Sequence, residues 1–137
     1  MPMNMEQALQ LLKDRGYKYT GKREEIIRIC AQEKRYLSAK EIMEQMKENY
    51  PNLSFDTVYR NLATFVELGI LEETELEGEG KFRLACSRGH HHHLICTECG
   101  TTKAVAACPM NLVPELPQDF HVTGHKFEIY GKCSACV

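Results

Sequence analysis

Hydrophobic positions along the chain follow two periods, and the change falls near residue 70. Before it they recur at helical spacing. Ala8, Leu9, Leu11 and Leu12 stripe a run from Glu6 to Arg15 that Gly16 stops. Thr20 is placed to cap a second helix with Ile26, Ile27 and Cys30 on its apolar side. Ser38 is placed to cap a third, with Glu41 at the capping-box spacing and Ile42, Met43 and Met46 facing inward, before Pro51 breaks the run. Ser54 opens a fourth helix that ends near Gly69. After residue 70 the pattern predicts two strands, Ile70 to Glu77 and Lys81 to Ala85, around the turn Glu77-Gly78-Glu79-Gly80. Further strands are expected at His90–Cys96, Thr102–Ala106 and Lys126–Tyr130, with Pro109, Pro114 and Pro117 marking an irregular middle. Helices followed by a hairpin are the parts of a winged helix-turn-helix. The whole reads as an α+β chain: a winged-helix domain over residues 1–85 and a small α/β domain over 86–137.

In the fourth helix, successive residues turn by roughly 100°. Phe55, Val58, Leu62, Phe65 and Val66 then share a face that packs on the other helices. Thr57, Arg60, Asn61 and Thr64 share the opposite face, with Tyr59 at its flank. These side chains suit a DNA groove: Arg forks onto guanine, Asn pairs with adenine, and Thr or Tyr reaches a thymine methyl or a phosphate. A solvated amphipathic helix carries the same pattern.

Charge sharpens this picture only locally. The formal net charge of −2 does not announce a nucleic-acid partner, but Lys13 to Arg35 holds eight basic residues against four acidic ones. An acidic stretch follows, from Glu67 to Glu79. No apolar run approaches the roughly 20 residues of a membrane span, and the first residues lack a signal-peptide pattern, so a cytoplasmic protein is expected. In that reducing compartment seven cysteines point to metal rather than disulfides.

Six of those cysteines and all six histidines lie after residue 85. Cys96-x-x-Cys99 and Cys133-x-x-Cys136 are two knuckles separated by 33 residues. Two knuckles close a tetrahedral four-sulfur shell with no open position, the arrangement of a structural zinc. A thioredoxin-like redox pair would need one such motif in a βαβ unit. In an extended His90–His93 run neighbours point to opposite faces, so His91 with His93, and His90 with His92, form two separate claws. Cys86 offers a sulfur and Glu72 an oxygen to one of them, a mixed shell typical of zinc; an exposed histidine tract is the alternative. His125 is placed to complete the His90/His92 claw. Cys108 is either a free thiol or an auxiliary ligand. Neither His-x-Glu with Pro-Cys-x-x-Cys nor His-Glu-x-x-His is present, so no zinc-enzyme motif is found and no small-molecule substrate is expected.

Three segments together resemble the ferric uptake regulator family, most closely its zinc uptake regulator branch. They are Ser54-Phe55-Asp56-Thr57-Val58-Tyr59-Arg60-Asn61-Leu62, the His90–His93 run leading into Cys96-x-x-Cys99-Gly100, and Gly124-His125-Lys126-Phe127-Glu128-Ile129-Tyr130-Gly131 leading into Cys133-x-x-Cys136. The resemblance implies a homodimer that binds double-stranded operator DNA through its winged-helix arms, with a dimerisation domain after them. It implies a structural zinc on Cys96, Cys99, Cys133 and Cys136. A regulatory zinc is implied on Glu72, Cys86, His91 and His93, and DNA contacts at Tyr59 and Arg60. It further implies a third site on His90, His92 and His125, although Asn111 stands where its acidic ligand is expected. Tyr19-Thr20-Gly21-Lys22-Arg23 departs from the usual Thr-Pro-Gln-Arg form but keeps Arg23 as a DNA-binding candidate. Tyr36 stands where the peroxide sensors often have His. Because Cys86 adds a soft donor, the expected function is a zinc-responsive repressor of zinc-uptake genes, not an enzyme. An iron-, manganese- or peroxide-sensing repressor of the same family is the alternative, and a zinc-binding module without DNA activity the more distant one.

Overall fold

The structure is a computed structural model that describes residues 3–85, 92–113 and 115–137, apart from the side chain of Asn111. It divides into two compact units, residues 1–88 and 89–137.

In the first unit each helix starts where a side chain satisfies its unpaired amides. Asn4 caps α1 (Met5–Asp14), accepting from the Gln7 amide while the Gln7 side chain returns the bond. Thr20 caps α2 (Gly21–Gln32) through the Arg23 amide. Ser38 and Glu41 form the expected reciprocal box at the head of α3 (Ala39–Met46). Ser54 caps α4 (Phe55–Glu67). The three caps expected at Thr20, Ser38 and Ser54 are thus in place. The first helix lies one residue earlier than its apolar stripe indicated, because Asn4 supplies the cap.

Strand β2 (Leu71–Leu76) pairs antiparallel with β3 (Glu79–Leu84), in register from Leu71↔Leu84 to Leu76↔Glu79. The turn is therefore Glu77-Gly78 alone, not the four residues expected from composition. Both residues have positive φ, 53° and 80°, which gives the primed two-residue turn that matches strand twist. Gly80, expected in the turn, belongs to β3 and faces Glu75. A two-residue strand β1 (Leu37–Ser38) adds to the other edge of β3, so the order is β1-β3-β2.

The core of this unit draws on every helix and the hairpin: Ala8, Leu12, Ile26, Ile27, Cys30, Ile42, Met46, Val58, Leu62, Phe65, Leu71 and Phe82 are all buried. Phe55 corrects the expected apolar face of α4. It is 49% exposed and stacks on Tyr59, ring centroids 6.0 Å apart. As the first helical residue it projects beyond the ground covered by α2 and α3. Val58, Leu62 and Phe65 behave as their spacing indicates, and Val66 packs partly buried at the core's edge.

The second unit is a three-stranded sheet ordered β5-β4-β6, with β4 at His92–Cys96, β5 at Thr102–Val105 and β6 at Glu128–Gly131. β5 returns antiparallel against β4 after a tight turn, whereas β6 arrives parallel to it. A 3-10 turn covers Pro109–Leu112. Leu94 and Ile129, register partners on one face, are 42% and 41% exposed. Among the described residues no helix is long and apolar enough to cross a membrane.

Candidate metal centres and reader helix

The two knuckles are brought together by the parallel pairing. β4 ends at Cys96 beside Gly131 of β6, which puts the Cys96–Cys99 turn next to the Cys133–Cys136 turn. The Thr97 amide donates to the Gly131 carbonyl at 2.9 Å, and the Gly100 amide returns to the Cys96 carbonyl at 2.9 Å. Gly100 sits at φ 80°, the left-handed conformation that lets the chain leave the knuckle sharply.

The four sulfurs lie within 4.8 Å of one another. Cys99 Sγ and Cys133 Sγ are 3.7 Å apart. A tetrahedron with zinc–sulfur bonds of about 2.3 Å has edges of about 3.8 Å, so the donors fit the ion in both type and spacing. The local field also prepares thiolates. Backbone amides of Cys99 and Cys133 direct their N–H groups at the Cys96 sulfur and hold its pKa down at about 6. The hydroxyl and amide of Thr101 lower that of Cys99. Cys136, sharing its proton with Cys133 in the absence of a cation, is pushed up to about 12. A divalent ion reverses that last effect, because it replaces the shared proton with positive charge. No disulfide joins the described cysteines.

A second cluster forms on the same sheet. His92, buried at 6% exposure, points its Nε2 at that of His125, 3.2 Å away. Cys108 Sγ lies 3.4 Å from the same His125 nitrogen. The sequence pairs His92 with His125; the structure adds Cys108, which the strand pattern could not place. The only hint was its position just after β5, the strand that pairs with β4. His90, also expected here, lies outside the described residues.

Of the residues implied for a regulatory site, Cys86 and His91 lie outside the described residues. Glu72 belongs to the first unit and His93 to the second. Glu72 accepts a forked contact from Arg83, whose Nε and Nη2 lie 3.3 and 3.2 Å from one carboxylate oxygen. The Arg83 guanidinium also lies over the ring of buried Tyr36, 5.5 Å from its centroid. His93 is half-buried on β4, opposite His92.

On α4 the polar face is graded. Arg60 is exposed and pairs with Asp56 one turn earlier at 2.5 Å. Tyr59 is 46% exposed, with its ring edge against Phe82 of β3. Thr57, Asn61 and Thr64 are half-buried and partly engaged within the unit. Thr57 Oγ1 meets Ser54 Oγ at 2.8 Å, and Thr64 donates to the Arg60 carbonyl. Asn61 accepts from Arg23 Nε at 3.3 Å and donates to the Thr57 carbonyl, while Arg23 also donates to the Lys18 carbonyl and covers the Tyr17 ring. Arg60 and Tyr59 are thus the outward-facing groups; Arg23 and Asn61 tie α2 to α4.

Comparison with known proteins places the chain in a family. The model of the ferric uptake regulator family matches residues 14–130. A ferric uptake regulation protein of Staphylococcus epidermidis is 49% identical over 134 residues, covering 98% of this chain and 97% of the relative. Among solved structures, the Helicobacter pylori ferric uptake regulator, described as having three functional metal-binding sites, superposes with a TM-score of 0.74 at 22% identity, covering 98% of this chain and 94% of that one. A zinc uptake regulator complexed with zinc and DNA superposes at 0.71 and 23% identity, over 96% and 91% of the two chains. These two likenesses speak for the fold, and the whole-length relative together with the family match speaks for descent. The chain belongs to the ferric uptake regulator family, whose members are metal-responsive, DNA-binding transcription regulators and not enzymes.

Proposed function

We propose that this protein is a metal-dependent repressor of metal-uptake genes, acting in the cytoplasm as a homodimer on double-stranded operator DNA. The observation that carries the reading is the likeness, over almost the whole length of both chains, to a protein named for ferric uptake regulation. That name favours iron(II) as the effector. Zinc is the second reading, favoured by Cys86: in the set Glu72, Cys86, His91 and His93 a thiolate is a soft donor that suits zinc better than iron or manganese.

In this reading residues 1–85 are the DNA-binding arm and residues 86–137 the dimerisation domain. Tyr59 and Arg60 meet the groove, Thr57 and Thr64 lie behind them, and Arg23 and Asn61 fix the helix at its entry. The exposed Leu94/Ile129 face supports dimerisation, since a small sheet leaves such a face for a partner copy. The four cysteines would hold a structural zinc, whose bonds supply folding energy to a unit too small for a large core. The effector ion would favour the arrangement that sets two reader helices about 34–36 Å apart, one helical turn of DNA.

The test is binding of the full chain to DNA from its own upstream region and from transporter promoters, at fixed salt, against buffered iron(II) under anaerobic conditions and, separately, buffered zinc. Coupling of about 1–3 kcal/mol predicts that the effector tightens DNA binding roughly 5- to 150-fold. Tightening by iron alone supports the first reading and by zinc alone the second. Binding indifferent to both metals overturns the proposal.

A further inference from the structure

Tyr36, Arg83 and Glu72 form a row across the sheet of the first unit. Leu37 faces Phe82 and Glu72 faces Arg83, so the residue before β1 and the two strands of the hairpin meet at one level. Phe82 and Leu84 are buried in the core, which turns the intervening Arg83 to the other side of β3. There its guanidinium lies 5.5 Å from the centroid of the Tyr36 ring and donates to the Glu72 carboxylate. We propose that Arg83 is a specificity-determining residue for the effector: a resident cation that holds one oxygen of Glu72 and so handicaps hard, carboxylate-dependent ions relative to zinc. The role rests on the reading of Glu72 as an effector ligand.

The contact is one-sided. An arginine fork commonly spans both oxygens of a carboxylate. Here Nε and Nη2, at 3.3 and 3.2 Å, both donate to Oε2, and Oε1 accepts no hydrogen bond among the described residues. The two partners also differ in freedom. The Arg83 side chain is 11% exposed and lies on the ring of buried Tyr36, which holds the planar guanidinium in place. The Glu72 side chain is 41% exposed, so Oε1 is open to approach. Glu72 can therefore give one oxygen to an ion while the other stays on the guanidinium, but it cannot chelate through both.

Donor chemistry makes this handicap unequal. A carboxylate that already faces a guanidinium offers an incoming cation less charge, because the two positive groups repel each other. Manganese(II) prefers oxygen donors, and Glu72 is the one carboxylate in the proposed effector set, so the loss bears on it most. Zinc draws on thiolate and imidazole, which Cys86, His91 and His93 supply in that set, and it needs only four donors. Arg83 thus penalises the hard ion more than the borderline one without being a ligand to either.

The experiment measures the free metal concentration at half-occupancy in the full reduced chain, with the four-cysteine centre filled by zinc. Manganese(II) is followed by electron paramagnetic resonance and zinc by competition with a chromophoric chelator. The parental protein, Arg83→Gln, Glu72→Gln and the double variant form a cycle, in which metal sites elsewhere in the chain cancel. Arg83→Gln should raise manganese affinity by about two- to fivefold, the worth of a half-exposed ion pair, and leave zinc affinity within about twofold. In the Glu72→Gln background the same change should move neither ion. An unchanged manganese-to-zinc preference in Arg83→Gln, where Glu72→Gln weakens binding, overturns the role of Arg83 and keeps Glu72 as a ligand. Full affinity for both ions in Glu72→Gln overturns the ligand reading and this role with it. A manganese gain that survives Glu72→Gln also overturns it, since Arg83 would then act through other groups. Lost stability does not imitate the expected result, because it weakens both ions together.

Discussion

Leu62 and Arg60 lie two residues apart on α4, and their truncation separates folding from recognition. Leu62 is fully buried. Leu62→Ala removes about three methylene equivalents, worth about 2.4 kcal/mol in transfer alone, and the cavity it leaves brings the cost into the range of about 3–5 kcal/mol. A unit of this size holds a total stability of only about 4–13 kcal/mol. At about 4–8 °C per kcal/mol, the midpoint of the first unit should fall by at least about 12 °C. Arg60 is the opposite case: it and its partner Asp56 keep 77% and 74% of their side chains exposed. Solvent screens such a pair, so Arg60→Ala should leave the melt within a degree or two. If Arg60 forks onto a base, its loss costs about 1–3 kcal/mol of operator binding, roughly 5- to 150-fold, at fixed salt and metal. Far-ultraviolet circular dichroism reads the melts, and fluorescence anisotropy with labelled operator reads the affinity at a temperature where both variants are folded. A low melt for Arg60→Ala, or a near-parental melt for Leu62→Ala, would show that the two faces of α4 are wrongly assigned. Full operator affinity in Arg60→Ala would remove Arg60 from the interface.

Three other outcomes are expected. Burial pushes the Cys30 thiol from 9.0 up to about 12, so the folded state holds its proton longer than the unfolded chain. That contribution is whole below pH 9 and is lost as pH rises toward 12, up to about 4 kcal/mol; Cys30→Ala should therefore show a shallower fall of urea-unfolding stability over that window, and parallel curves would refute it. On the proposed reading of a metal-holding four-cysteine centre and a homodimer, metal chelation or Cys99→Ser should unfold the second unit and halve the mass by size-exclusion chromatography while the helical signal of the first unit persists; helicity lost in step with metal would contradict this. If Glu72 is an effector ligand as proposed, Arg83→Gln, which removes its guanidinium partner, should tighten effector-metal binding by no more than about fivefold in a buffered titration; weakened binding would mean that Arg83 assists Glu72.

How much of this was legible follows from how local each feature is. Caps at Thr20, Ser38 and Ser54 were readable because a helix start depends on a side chain and an amide three residues away. The buried faces of α2, α3 and α4 were readable from periodicity. Phe55 was not: periodicity gives its direction but not the point at which neighbouring helices stop covering it. β1 has two residues and no period, and exists only because β3 offers an edge. The turn was misplaced by two residues because composition marks Gly80 as a turn residue, whereas the register pairs it with Glu75. The knuckles were legible from spacing alone. Cys108 was not, since its meeting with His92 and His125 depends on two strand pairings far apart in the chain.

The parallel placement of β6 also dictates an order of events during synthesis. β4 and β5 can zip together as a hairpin as soon as residue 105 is available, but β4 gains its other neighbour only after residue 131 has emerged. Both sulfurs of the second knuckle come later still. Until then the nascent unit carries an open strand edge and half a thiolate cage, a state suited to chaperone capture or mispairing. If the four cysteines hold a metal ion as proposed, that ion enters last: chains made without it would stall with the first unit formed and the second open.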